Sequence, residues 1–183
     1  LYAGLAAAVG LDHRELGTAH DAEADVGVRV EATLALIAEG YDFVHLHTKR
    51  PDMAGHRKDP ARKTEVIKGI DRALAPLVPL VERGEIVVAV CPDHQTPSAG
   101  PLYHGGGAVP LLIAGGVAGA DSVTAYGETA CASGALGTLR GIDVLPLALD
   151  AADRTAFLAD RITGHLALGM PQPEDLRPLK ARG

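Results

Sequence analysis

Apolar side chains along this chain fall into two long helical stripes, with short continuous or alternating runs between and after them. Over 22–39, Val26, Val30, Leu34 and Ile37 recur at helical spacing behind Asp21, a residue suited to cap the first turn. Over 60–82, Val66, Ile70, Leu74, Leu77 and Val81 share one side. Pro76 and Pro79 inside that stripe predict a kinked or shortened helix, because proline removes a backbone donor. Between the stripes, YDFVHLH (41–47) alternates as a short strand with His45 and His47 on one face. EIVVAV (85–90) and AVPLLIAG (108–115) are apolar runs of the kind buried on both faces of a sheet, and SVTAY (122–126) reads as a short edge strand. Helices are expected from about Thr129 to Leu139 and from Ala151 to Leu168, before a loose tail carrying Pro171, Pro173 and Pro178. The opening residues Leu1, Leu5 and Ala8 read as the middle of an apolar helix, as in a piece of a longer chain or a chain with an engineered boundary.

This order predicts an α/β domain, a layered, mostly parallel sheet flanked by helices. Composition narrows the picture. A chain of 183 residues, 47% hydrophobic, can bury one core but not two large ones. With two Phe, four Tyr and no Trp, that core must be aliphatic. The net charge of −6 disfavours a nucleic-acid partner. No apolar run approaches the roughly 18 residues of a membrane helix, and no secretion signal is visible. Cys91 and Cys131 are too few for a disulfide framework, which suits a cytoplasmic location, and the absence of Asn excludes a glycosylation sequon.

In parallel sheets ligands sit beyond the carboxyl ends of the strands, and three such places carry ionisable residues. After the first strand, Asp52 and His56 are four apart, so one helical turn would project both from one face. After the second come Asp93 and His94, and the loop entering the third holds Tyr103-His104-Gly105-Gly106-Gly107. Two carboxylates and three imidazoles on one rim suit zinc or manganese better than calcium, which takes oxygen ligands. Each group alone has a plainer reading: a chance Asp-x-x-x-His, a capping Asp beside a core histidine, an exposed loop histidine. Their shared location favours the metal reading. His13, His20 and His165 are expected in solvent, His45 and His47 packed on their strand, and Cys91 as a buried structural thiol. The glycine run lacks any phosphate-loop pattern.

PDMAGH (51–56), PDHQTPS (92–98), YH (103–104) and AVPLLI (108–113) resemble the cofactor-independent phosphoglycerate mutases of the alkaline phosphatase superfamily, most closely their archaeal-type branch. The ten-residue step from His94 to His104 matches, and 128–149 resembles the family's last segment, a small-residue helix before a short final strand. The resemblance covers roughly residues 1–149, so 1–150 would form the metal-binding part of a phosphatase-like domain and 151–183 a C-terminal helix and proline-rich tail. It implies that Asp52, His56 and His104 hold one divalent ion while Asp93 and His94 contribute to a second. The ions would be manganese or zinc, with magnesium the alternative. Lys49, three residues before Asp52, would meet the phosphate of a small phosphoester substrate, although an exposed lysine on a turn explains it equally well. The implied reaction interconverts 2- and 3-phosphoglycerate through a phosphoserine. Its serine and one further aspartate lie near the N-terminus of the full protein, yet residues 1–40 hold no serine, so these 183 residues alone are expected to be inactive. Gln95, where the family usually has Ser, and the tail after Asp150 depart from the pattern. Two rival readings are another metal-dependent phosphotransferase, phosphatase or phosphonate-handling enzyme of the superfamily, and a non-catalytic binding domain. Nothing in the sequence fixes the oligomeric state.

Overall fold

The computed structural model describes residues 2–154. They divide into two compact units, one of the described residues up to 76 with 96–103, the other of residues 77–95 with the described residues from 104 onward. The first unit is helical: α1 (Tyr2–Ala8), α2 (Ala22–Ala38), α3 (Arg50–His56) and α4 (Pro60–Leu74). Asp21 caps α2 as its position predicts, its carboxylate accepting the Ala24 N–H at 2.8 Å. Both α2 and α3 pack on α4. Ala22, Ala54 and Val66, one from each helix, form a small core with Ile70 against it, and Val26 and Val30 are fully enclosed.

Asp25, only 2% exposed, lies one turn before Val28 on α2 and ties several segments together. Its carboxylate accepts from the Thr48 hydroxyl at 3.1 Å and the Ala19 N–H at 3.3 Å. Arg29 lies 3.2 Å from it and Arg50 3.7 Å. Arg29 also donates to the His47 carbonyl at 3.0 Å, and Arg50 to the Ala19 carbonyl. Desolvating a carboxylate is costly, so it survives in a core only with this many partners.

At the prolines α4 gives way to a 3-10 turn (Ala75–Leu77) and then to α5 (Val78–Glu82), the expected shortening. The second unit continues with β1 (Val88–Val90), β2 (Leu112–Ala114), α6 (Glu128–Cys131) and α7 (Gly141–Ala151). The Tyr126 hydroxyl reaches the Val90 and Pro110 carbonyls at 3.3 and 3.2 Å, which clips the end of β1 to the approach of β2. Behind β2, the Val117 N–H donates to the Ala151 carbonyl at the end of α7, at 2.8 Å.

Several expectations need correction. The two strands pair antiparallel, Val88 opposite Ala114 and Val90 opposite Leu112, and they are the only ladder among the described residues. No crossover helix separates them, as a parallel pair would need. Their side chains are half-buried or exposed rather than enclosed on both faces. Residues 41–47 form no strand: Arg29 takes the His47 carbonyl that a sheet neighbour would bind, and Phe43 is exposed. Nor do 122–126, where the Val123 N–H turns back to the Asp121 carboxylate at 2.9 Å. The helix expected to Leu139 ends at Cys131, and Gly137 beyond it has a left-handed φ of 62°. Instead of a final strand, 141–151 is helical, because the Asp143 carboxylate accepts the Arg140 N–H at 3.0 Å and closes the first turn. The helix expected from Ala151 to Leu168 does not start there, because α7 ends at Ala151 and the chain turns at 152–153; the rest of that helix and the tail lie outside the described residues. No helix among those described is long and apolar enough to cross a membrane.

Asp25→Ala should be severe, since it leaves two largely buried guanidinium groups without their anion. A loss of about 3 kcal/mol is expected by urea denaturation, against little change for Val28→Ala on the exposed face of the same helix. Equal midpoints for the two variants would refute the role given to Asp25.

Candidate metal centre

Helix α3 turns twice at most, and its periodicity does what the spacing predicts. Asp52 Oδ1 and His56 Nε2 lie 3.1 Å apart, both side chains about a fifth exposed. Asp52 Oδ1 also accepts the Thr96 hydroxyl at 2.7 Å. Thr96, 5% exposed, belongs to a segment laid across α3 at Gly55. A Cβ on Gly55 would stand 2.6 Å from the Thr96 carbonyl oxygen and 2.8 Å from its methyl, so only glycine permits the approach. Two lysines hold the segment down. Lys63 donates to the Thr96 carbonyl at 2.7 Å, and Lys58 to the carbonyls of Pro97, at 2.8 Å, and Leu102. Lys58 takes a left-handed φ of 56° to turn the chain from α3 into α4, a conformation unfavourable for a side-chain-bearing residue and offset here by those contacts. At the segment's end the Tyr103 ring stacks on His56, centroids 3.9 Å apart.

Lys49 precedes α3 and is exposed. With Arg29, Arg50, Asp25 and His47 it lines an open cavity of about 250 Å³ in the first unit. Three cations against one carboxylate make its wall net positive, which favours an anionic occupant. His47, half-buried, lies against the Tyr2 ring, while His13, His20 and His45 are exposed.

In the second unit the chain leaves β1 through Cys91-Pro92 and reaches Asp93 and His94. The Gly105 N–H donates to the Gln95 carbonyl at 2.9 Å in an isolated antiparallel bridge. That pairing sets the preceding residues side by side, and the rings of His94 and His104 lie with centroids 4.0 Å apart. Asp93 Oδ2 lies 3.5 Å from His94 Nε2, and its other oxygen accepts the His94 N–H at 3.0 Å. The glycine run serves as a seat. A Cβ on Gly105 or Gly107 would stand 2.6 or 2.8 Å from the Gln95 amide, which donates to the Ala108 carbonyl at 2.9 Å. Gln95, the departure from the family pattern, thus fills a space the glycines leave. Cys91 is exposed rather than buried. Its sulfur is partly screened from solvent all the same, and this, with the Asp93 charge, pushes the thiol up.

The structure therefore pairs Asp52 with His56, and groups Asp93, His94 and His104, each set inside its own unit. Ligand bonds of about 2.0–2.2 Å let an oxygen and a nitrogen 3.1 Å apart reach one divalent ion, which is the geometry the Asp52–His56 pair offers. Sequence reasoning missed Thr96, Tyr103 and Lys63 as supports of this pair. The glycine between Ala54 and His56 was the available signal, since a helical glycine facing inward marks a close neighbour.

Residues 17–151 match the model of the Metalloenzyme superfamily. Over 156 residues the chain is 35% identical to the 2,3-bisphosphoglycerate-independent phosphoglycerate mutase of Thermococcus kodakarensis, a match covering 85% of this chain and 38% of that protein. It is 33% identical over 177 residues to 2,3-bisphosphoglycerate-independent phosphoglycerate mutase 2 of Methanocaldococcus jannaschii, covering 96% and 38%. The chain thus spans well under half the length of these relatives. The solved structure of the PH0037 protein from Pyrococcus horikoshii superimposes with a TM-score of 0.78 at 35% identity, over 87% of this chain and 48% of that one.

Gly55→Ala tests the packing of the 96–103 segment on α3. The added methyl must push backbone rather than a flexible side-chain end, so a loss of about 2 kcal/mol is expected in urea denaturation. An unchanged midpoint would show that the segment does not rest there.

Proposed function

Because this chain belongs to the Metalloenzyme superfamily, we propose that its residues 1–150 are the metal-binding part of a 2,3-bisphosphoglycerate-independent phosphoglycerate mutase. The observation that carries the reading is the pairing of Asp52 with His56 on one helical turn, in a chain that also sets Asp93, His94 and His104 together on a single bridge. In this reading Asp52, His56 and His104 hold one divalent ion, and Asp93 and His94 contribute to a second. The nucleophilic serine and the aspartate that completes the second centre belong to the part of the longer proteins that this chain does not span. A layered α/β architecture of the alkaline-phosphatase kind and a cytoplasmic location go with the same reading.

Bound manganese or zinc, with magnesium the alternative, would supply Lewis-acid stabilisation of the attacking and leaving oxygens and would favour ionisation of the serine hydroxyl. The chain's own residues do the rest of the work assigned here. Asp52 and Asp93 bring negative charge that offsets the cations, and His56, His94 and His104 present ring nitrogens as donors. The stacked Tyr103 ring restrains His56 from turning away. Lys49, at the rim of a positively lined cavity, binds and orients the anionic phosphoglycerate. Holding the glycerate while its phosphoryl group resides on the serine allows return to the other oxygen, which is what separates a mutase from a phosphatase.

Calorimetric titration of the chain with Mn²⁺ should show about one equivalent bound, because two ligands alone hold a second ion poorly. His56→Ala should weaken that binding at least about tenfold; identical titrations would sink the ligand assignment. The longer protein containing these residues should interconvert 2- and 3-phosphoglycerate when metal is supplied, and the 183 residues alone should not. Turnover by this chain alone, abolished by His94→Ala, would place the nucleophile within it and overturn the partition proposed above.

Lys49→Ala in the longer protein should raise KM for phosphoglycerate several-fold. Unchanged steady-state kinetics would return Lys49 to the solvated surface.

A further inference from the structure

The Thr96 hydroxyl reaches Asp52 from 44 positions further along the chain, and nothing in the local sequence requires that contact. We infer that Thr96 is a positioning residue that orients the Asp52 carboxylate toward the metal ion, an inference that rests on Asp52 being a ligand. Three features give Thr96 this role. Its side chain is buried, so its hydroxyl must find a partner, and the partner is a charged oxygen at 2.7 Å, a strong form of hydrogen bond. Its backbone is fixed independently, by Lys63 on its carbonyl and by close packing on Gly55, so the hydroxyl approaches from a fixed point. It also meets Oδ1, the same oxygen that faces His56, so the two contacts together define the plane of the carboxylate.

A hydroxyl suits this task better than a cation. An ionised carboxylate offers about four lone-pair positions, so it can accept from Thr96 and still ligate. A lysine or arginine in the same place would neutralise the charge that attracts the ion. In this fold Lys63 binds the Thr96 carbonyl and Thr96 binds Asp52, so the support is relayed through a neutral group. Outer partners of this kind set the direction of metal ligands and influence affinity.

The test is a calorimetric Mn²⁺ titration of the full chain as wild type, Thr96→Val, Thr96→Ser and Asp52→Asn. Valine keeps the volume and loses the donor, so Thr96→Val should weaken Mn²⁺ about tenfold, while Thr96→Ser should stay within about threefold of wild type. The visible absorption of bound Co²⁺ should shift in Thr96→Val and return in Thr96→Ser. Weak binding by both Thr96 variants would assign the effect to packing and overturn the inference, as would full affinity in Thr96→Val while Asp52→Asn binds poorly. Full affinity in Asp52→Asn would overturn the ligand reading itself. If circular dichroism shows Thr96→Val unfolded, Thr96→Ala against Thr96→Ser decides the same question.

Discussion

The first unit depends on one buried anion. Asp25 is nearly inaccessible, yet its partners come from the segment before α2, from α2 itself, from the approach to α3 and from the first residue of α3. Two stretches of chain, 19–29 and 48–50, are tied together by one carboxylate. This is an economical solution for an alanine-rich sequence. The core cluster of Ala22, Ala54 and Val66 has little side-chain volume, so dispersion alone would leave α3 weakly anchored. Fixing the start of α3 also fixes the rotation of the helix about its axis, and that rotation decides where Asp52 and His56 point. The buried charge and the candidate ligands are therefore linked through a helix of seven residues.

A short helix of that kind needs a second anchor at its far end. It comes from the 96–103 segment, which lies on Gly55, bonds to Asp52 through Thr96 and stacks on His56 through Tyr103. The segment has no regular structure of its own, so its backbone carbonyls must find donors elsewhere. Lys58 and Lys63 provide them, with long flexible side chains able to reach three carbonyls. Both ammonium groups are directed at neutral carbonyls.

How much of this was legible in the sequence depended on the range of the interaction involved. The α2 stripe, its Asp21 cap, the break at Pro76 and Pro79 and the Asp52–His56 turn are set by residues within a few positions of one another, and periodicity or a single propensity reads them. The strand expected at 41–47 failed because alternation reports which faces are apolar and not whether a ladder partner exists; Arg29 satisfies a carbonyl there instead. The 141–151 segment failed in the other direction. Likeness to the family predicts a final strand there, whereas Asp143 at the third position caps a helix that Pro146 does not prevent. The site was partly legible for the same reason. Its ionisable residues stand out as motifs, but Thr96, Tyr103 and Lys63 act over thirty or more positions, and no local pattern announces them.

The two groups of ligand-type residues are built by different local rules, and this has a thermodynamic consequence. Asp52 and His56 are neighbours because a helix repeats near four residues; His94 and His104 are neighbours because Gln95 and Gly105 exchange a backbone hydrogen bond. Each group is held by backbone hydrogen bonds, and binding an ion to side chains already oriented costs less conformational entropy than gathering them from a loose loop. The Gln95 amide over its glycine seat and the Thr96 hydroxyl on Asp52 each restrain one group in this way. On the ligand assignment proposed above, a substitution at either is expected to alter metal affinity more than the stability of the fold, which separates their role from that of Asp25.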